Sequence, residues 1–219
     1  MWGVVNNLSR WVGLVGASAA IGSLAIILFG LWRGARRPKG RSTGMAQWML
    51  RWPFYLIIGL LFFGTCFLLW RPIPLSVTPL VDLLMLVLGA LLYFPGLALV
   101  LWGRLTLGKM YDVSSSLGAH LYVDHQLIKH GPFAFVRHPM YLGIMMASFG
   151  GLLLYRMWTL LFLSIVFLGL ILRAKREEQV LAAEFGEQWE TYCQQVPAWF
   201  PRIWREDRKT TAEISGKET

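Results

Sequence analysis

The sequence predicts an all-α integral membrane protein with about five transmembrane helices. Of its 219 residues, 56% are hydrophobic and only 15% are charged, whereas soluble domains carry about 25% charged residues. A transmembrane helix needs roughly 17 to 25 mainly apolar residues. Five uncharged runs have about this length and predict the helices: residues 11–32, 52–70, 83–103, 139–155 and 157–172.

The first three runs each predict a complete span. The run 11–32 is longer than the apolar core of a secretory signal, and basic residues follow it in place of a cleavage site, so we expect it to be retained. Gly16 and Ala20 lie one helical turn apart within it, which favours close helix packing. In the third run, Pro95 and Gly96 predict a kink that either helps to open a cavity or serves packing alone.

The last two runs predict a helical hairpin, because only Arg156 separates them. Beyond the hairpin, apolar residues recur at helical spacing and predict a C-terminal amphipathic helix. We expect this helix to be interfacial and to rest either on the membrane or on the bundle. Its apolar face and the aromatic residues that follow it are Leu181, Phe185, Trp189, Tyr192, Val196, Trp199, Phe200 and Trp204.

The distribution of charge predicts the orientation of the chain. The loop 33–51 carries six basic residues and no acidic residue, and such loops face the cytoplasm. Five crossings then place the N-terminus outside and the segment 104–137 and the C-terminus inside. We expect N-terminal transmembrane helices in 1–100, a catalytic region in 101–204 and a polar, disordered tail in 205–219. The net charge of +9 follows from this topology, so we expect no nucleic-acid partner.

Two polar segments flank the predicted hairpin on its cytoplasmic side. DHQLIKHGPFAFVRHPMY precedes the fourth run and RAKREE follows the fifth, so the hairpin is expected to bring them together. Arg173 and Glu177 lie four residues apart and share a helix face. Each of these residues also has an interpretation without function. Arginines beside apolar spans often extend their charged ends to the membrane surface, and adjacent glutamates often lie on a solvated helix face. The residues expected to meet are Arg137, His138, Tyr141, Arg173, Glu177 and Glu178.

The start of the fourth helix predicts a site for an anion. Gly131 and Pro132 interrupt the chain, and Pro139 suits the first turn of a helix. The free backbone N–H groups of that turn favour a carboxylate or another anion. A pocket with cations, carboxylates, aromatic rings and a lipid-lined wall suits a small charged cofactor beside a lipophilic acceptor. The histidines before this turn are spaced five residues apart, which fits no usual zinc site, so we expect no metal.

In their order and spacing, these segments resemble the isoprenylcysteine carboxyl methyltransferase family and related integral-membrane methyltransferases. The similar stretches are HQLIKHGPFAFVRHPMYLG, REEQVL, FGEQWETY and VPAWFP, within about residues 101–201. The resemblance implies a membrane enzyme that uses S-adenosylmethionine to methylate a lipophilic acceptor. Together with the polar cluster, it indicates the following cofactor-binding residues: His125, Gln126, Leu127, Ile128, Phe133, Arg137, His138, Pro139, Met140, Tyr141, Glu177 and Glu178.

The resemblance also suggests how the acceptor is bound. Arg173 matches an arginine that is proposed to bind the acceptor, so Arg173 and Tyr141 are the candidate catalytic residues. Phe133 stands where a tyrosine is common, which removes a hydrogen bond and leaves packing on the adenosine. A carboxylate acceptor needs no base, and Arg173 can orient it through a bidentate contact. An amine, phenol or thiol must lose a proton, for which His138, Tyr141 or Glu178 is the candidate.

The leading hypothesis is a membrane-embedded methyltransferase most like protein-S-isoprenylcysteine carboxyl O-methyltransferase. Methyl transfer from a sulfonium depends mainly on alignment and on exclusion of water. The alternative acceptors are phospholipid amines, lipid phenols and thiols. A different class of protein, which binds partners in the membrane without catalysis, is the further alternative. A transporter is disfavoured, because the interiors of the predicted spans carry no charge.

Overall fold

The chain folds into helices throughout the residues that the structure describes. The computed structural model describes residues 2–35, 52–108 and 127–201. Every regular element in these ranges is helical, which confirms the predicted all-α fold. A short 3-10 helix, Gly131–Ala134, precedes the fourth α-helix. The α-helices are α1 Trp2–Ala35, α2 Trp52–Leu68, α3 Pro79–Leu107, α4 Pro139–Tyr155, α5 Trp158–Leu168, α6 Leu170–Phe185 and α7 Glu187–Gln195.

Several helices are apolar enough to lie in a membrane. Three stretches are also long enough to cross it: Gly3–Gly30, Pro79–Leu107 and Trp158–Phe185, the last of which runs through α5 and α6. Two further apolar helices, Leu56–Leu68 and Pro139–Tyr155, are shorter. The 17 residues of α4 extend for about 26 Å, against a hydrocarbon core of about 30 Å. The membrane class is confirmed, and the number of crossings stays a prediction.

Helices α3 and α4 pack backbone to backbone, and glycines on both helices permit this contact. A Cβ atom on Gly96 would lie 2.6 Å from the backbone nitrogen of Ala147 and 2.7 Å from the carbonyl oxygen of Gly143. A Cβ atom on Gly143 would lie 2.7 Å from the carbonyl oxygen of Gly96. Backbones this close leave no room for a larger residue. Gly96 therefore serves packing, one of the two roles predicted for the Pro95 and Gly96 pair.

Helix α1 packs on this pair through two tyrosines. Tyr93 of α3 donates a hydrogen bond to the carbonyl oxygen of Gly16 at 3.0 Å, and Tyr155 of α4 donates to that of Gly13 at 2.8 Å. A Cβ atom on Gly16 would lie 2.6 Å from the Tyr155 hydroxyl oxygen. The close packing predicted at Gly16 is thereby confirmed.

The turn between α4 and α5 confirms the predicted hairpin. Arg156 has a left-handed backbone conformation, with φ 50° and ψ 52°, and its guanidinium lies 2.7 Å from the buried carboxylate of Asp82. The backbone that follows α2 packs on this turn, because the N–H of Trp158 donates to the carbonyl oxygen of Arg71 at 3.1 Å. The C-terminal end of α2 therefore lies at the tip of the hairpin.

The predicted amphipathic helix is divided between α6 and α7. Gly186 separates them with a φ of 48°, a conformation that glycine adopts more readily than other residues. The predicted face still forms one contact surface, which we call the α7 cluster. It consists of buried Trp189, Tyr192 and Val196, with Leu127, Leu181, Phe185 and Cys193 packed against them. The apolar face thus rests on the protein, which is one of the two placements predicted.

Candidate functional site

The turn before α4 is fixed by buried prolines and by a glycine. The side chains of Pro132 and Pro139 are fully buried. Gly131 has a φ of 63°, and a Cβ atom there would lie 2.7 Å from Oγ1 of Thr106 on α3. Pro139 begins α4, where its fixed φ suits the first turn and its missing N–H costs little. This packing determines where the side chains just before α4 project.

Glu177 of α6 contacts both neighbours that the sequence predicts for it. Its Oε1 accepts a hydrogen bond from the Tyr141 hydroxyl at 2.5 Å and another from Nε of Arg173 at 3.4 Å. The Arg173 guanidinium carbon lies 5.9 Å from the centroid of the Tyr141 ring. The acidic, basic and aromatic side chains therefore form one group between α4 and α6.

Glu178, the next residue along α6, makes a second such group. Its Oε1 lies 2.9 Å from Nε2 of His138 and 3.2 Å from Nη2 of Arg137. The side chains of Arg137 and Glu178 are 14% and 27% exposed, so this ion pair is only partly screened by solvent. The segment before α4 and the segment after α5 thus meet, as the predicted hairpin requires.

Aromatic rings surround the two ion pairs. The ring of His138 stacks on that of Tyr141 with centroids 5.8 Å apart and also contacts Trp199 at 5.4 Å. His138 is only 7% exposed. The Arg137 guanidinium carbon lies 5.7 Å from the centroid of the Trp189 ring, within the range of a cation–π contact. The charges therefore lie against low-dielectric surfaces that strengthen their interactions.

The C-terminal segment is hydrogen-bonded to the turn before α4. The hydroxyl of Tyr192 donates to the carbonyl oxygen of Phe133 at 2.6 Å. The backbone N–H groups of Arg137 and His138 donate to the carbonyl oxygens of residues 197 and 198 at 2.9 and 3.1 Å. Burial raises the pKa of Tyr192 to about 12, so its hydroxyl remains a donor at neutral pH. Helix α7 and the residues after it are thus part of the site.

The remaining predicted cofactor-binding residues have other surroundings. Leu127 packs in the α7 cluster, and Ile128 is half-buried beside it in sequence. Pro139 is buried in the turn, and Met140 packs against α3 at Gly103. Outside the described residues lie His125, Gln126, the loop from residue 36 to 51 and the tail from 205 to 219. The described residues that meet around the two glutamates are Arg137, His138, Tyr141, Arg173, Glu177 and Glu178.

This arrangement fits the amino-acid end of S-adenosylmethionine, the cofactor that the resemblance implies. That end carries an ammonium and a carboxylate, so it needs an anionic and a cationic partner. Within the described ranges, both partners of Glu177 contact Oε1, which leaves Oε2 for an ammonium. Nε of Arg137 is buried and has no hydrogen-bond acceptor in the part of the chain that the structure describes. It is therefore suited to donate to a carboxylate.

Comparison with known proteins supports the family that the motifs indicate. Residues 84–188, just under half of the chain, match the family model of the phospholipid methyltransferases. The chain is also 35% identical over 82 residues to the protein-S-isoprenylcysteine O-methyltransferase of Schizosaccharomyces pombe. That match covers 36% of this chain and 35% of the relative, so the chain spans about a third of the relative's length. Over these segments the chain is therefore similar to the integral-membrane methyltransferases, and its residues 84–188 match the phospholipid methyltransferase family.

Proposed function

We propose that this protein is an S-adenosylmethionine-dependent methyltransferase that acts in the membrane on a lipophilic carboxylate, most like an isoprenylcysteine. The observation that carries the proposal is the meeting of two carboxylates and two guanidinium groups from distant segments. This cluster lies where the apolar helices α4 and α5 continue into polar sequence. A polar donor and an acceptor with a lipid tail can therefore approach each other there.

In this proposal, the amino-acid end of the donor binds between α4 and α6. Glu177 accepts a hydrogen bond from the ammonium through Oε2, and Arg137 donates from Nε to the carboxylate. The first N–H groups of α4 add favourable partial charge for that carboxylate. Phe133, whose ring is half-buried in the segment before α4, would pack against the adenosine end. Tyr141 presents the aromatic surface that a sulfonium favours.

Charge balance supports an anionic acceptor. Arg137 and Arg173 pair with Glu178 and Glu177, so these two cations and two carboxylates offset each other before any ligand binds. S-adenosylmethionine brings a sulfonium, an ammonium and a carboxylate, and therefore adds net positive charge. Uncompensated charge in a partly buried site costs free energy. A carboxylate acceptor offsets the added charge, and the side chain of Arg173 is 33% exposed and accessible to bind it.

The residues of the chain act mainly by orientation in this reaction. When bound, S-adenosylmethionine supplies an electrophilic methyl group on its sulfonium, and a carboxylate oxygen takes it without releasing a proton. No general base is needed, which agrees with the pairing of both glutamates with cationic side chains. Arg173 orients the acceptor carboxylate, and the rings around the ion pairs exclude water from it.

A phospholipid amine is the second candidate acceptor, because the matched domain is that of the phospholipid methyltransferases. An amine must lose a proton during its methylation, so this reaction needs a proton acceptor. Glu178 is the candidate, since its carboxylate lies at the site and is hydrogen-bonded to His138 at 2.9 Å. Purified protein incubated with a labelled methyl donor and a panel of lipid carboxylates, amines, phenols and thiols distinguishes these acceptors.

Donor binding is tested by calorimetric titration of the purified protein in lipid with S-adenosylmethionine and with its demethylated product. We expect both to bind, and we expect Glu177→Gln to weaken binding by tenfold or more, roughly the effect of losing a charge-assisted hydrogen bond. Glu184→Gln is the matched control, because Glu184 lies on the same helix and is exposed. An absence of binding by the wild-type protein would contradict the proposed function.

A further inference from the structure

We propose that Trp199 is a positioning residue for the donor site, which acts through His138 and Glu178. The inference rests on the proposed function and adds a residue that contacts neither donor nor acceptor in that proposal. Its basis is a chain of three contacts. Trp199 packs on the ring of His138 at 5.4 Å, His138 Nε2 bonds Glu178 at 2.9 Å, and Glu178 pairs with Arg137 at 3.2 Å.

The ring of His138 is held by contacts with three side chains of the protein. His138 is 7% exposed, its ring contacts those of Tyr141 and Trp199, and its Nε2 is hydrogen-bonded to Glu178. Its effect on a ligand therefore passes through the carboxylate that it binds. Glu178 in turn determines the direction of the Arg137 guanidinium, whose buried Nε is the group that we assign to the donor carboxylate.

The position of Trp199 is itself determined by backbone hydrogen bonds. The N–H groups of Arg137 and His138 donate to the carbonyl oxygens of residues 197 and 198 at 2.9 and 3.1 Å. These bonds fix the register of the C-terminal segment against the turn before α4, so that the next residue, Trp199, lies on the His138 ring. Orientation by a locked neighbour of this kind keeps a binding group in its productive geometry.

The contact with His138 distinguishes Trp199 from its aromatic neighbour Phe200. Phe200 is the next aromatic residue along the chain, yet its side chain is 77% exposed. A role limited to general hydrophobic anchoring would make the two aromatic residues equivalent. A role in positioning His138 makes Trp199 alone important for donor affinity. The pair Trp199→Leu and Phe200→Leu is therefore a matched comparison.

The test measures the dissociation constant and the stoichiometry for the demethylated product of the donor, by calorimetry on the full-length protein in lipid. We expect Trp199→Leu to weaken binding by about tenfold without changing the number of sites, because misdirecting one charge-assisted contact costs about that much. The apparent KM for the donor should rise with it, while the KM for the acceptor stays within about twofold. Trp199→Phe should restore most of the affinity, and Phe200→Leu should bind like the wild type.

The outcomes separate this inference from the proposed function. If the wild-type protein binds and Trp199→Leu has an unchanged dissociation constant with fewer sites, Trp199 has only a structural role and the inference is wrong. Equal weakening by Phe200→Leu also contradicts it. If Trp199→Leu does not fold, Trp199→Phe and Trp199→His are compared instead. The inference is wrong if the variant that retains the ring contact with His138 does not bind the product more tightly than the variant that loses it. A wild-type protein that binds neither donor nor product refutes the proposed function itself.

Discussion

At the scale of single residues, Arg173 is the side chain whose geometry decides between acceptors. Its guanidinium is hydrogen-bonded to Glu177 and lies over the Tyr141 ring, so its position is fixed while a third of its side chain remains exposed. A planar guanidinium can bind a carboxylate through two parallel hydrogen bonds, whereas an ammonium at the same place cannot. The nature of the cation therefore matters as much as its charge.

The corresponding prediction concerns Arg173→Lys, which keeps the charge and removes the bidentate geometry. We expect kcat/KM for a lipid carboxylate to fall by about 10- to 100-fold, because a pair of charge-assisted hydrogen bonds is lost, while affinity for the donor stays within about threefold. Steady-state methylation assays with varied acceptor measure the first quantity and calorimetry the second. Arg176→Lys, an exposed position on the same helix, should have no effect. If Arg173→Lys lowered the methylation of amines and left that of lipid carboxylates unchanged, the proposed role of Arg173 in binding a carboxylate would be wrong.

At the scale of elements, the contact between α3 and α4 determines where the site lies, because α4 begins at the site. Gly96→Ala should separate these helices, since the new Cβ atom would lie 2.6 Å from a backbone nitrogen of α4. Strain of this kind costs about 1 to 3 kcal/mol. We expect a lower midpoint of thermal unfolding in detergent and weaker donor binding. Gly59→Ala on α2 is the control, because a Cβ atom there meets nothing within 4 Å. Equal effects of both substitutions would contradict the packing account.

The elements also show what the sequence can and cannot predict. Apolar runs and the single Arg156 between two of them were sufficient to predict the hairpin, and the hairpin brought Tyr141 to Glu177. The break at Gly186 was missed, because apolar residues keep helical spacing across it. The contact of Trp199 with His138 was also missed. It depends on hydrogen bonds to the backbone carbonyl groups of residues 197 and 198. Every residue has a backbone carbonyl group, so the sequence carries no sign of which ones accept these bonds.

At the scale of the whole molecule, the contacts between helices define two opposite ends. The Tyr155 end of α4 contacts Gly13 of α1 and the segment after α2. Near the other end of α1, Gly30 faces the guanidinium of Arg104, which is close to the beginning of α4. The C-terminal end of α1 at Ala35, within the basic sequence 33–51, therefore lies on the same side as the candidate site. Because basic loops face the cytoplasm, we propose that the site also faces the cytoplasm.

Labelling of single cysteines tests this orientation. It uses sealed membrane vesicles for which it is known whether the extracellular or the cytoplasmic face is outward. Arg71 and Lys175 are both exposed and lie at opposite ends of the molecule, so each is replaced by cysteine in a background with Cys66→Ser and Cys193→Ser. In vesicles with the extracellular face outward, we expect an impermeant maleimide to label Arg71→Cys at once and Lys175→Cys only after permeabilisation. The reason is that Arg71 lies at the hairpin turn and the span Trp158–Phe185 runs from that turn across the membrane towards Lys175. The reverse pattern would contradict the cytoplasmic site and keep the two-ended architecture. Labelling of both positions from one side would refute the architecture itself, since Glu177 would then lie on the same face as the hairpin turn.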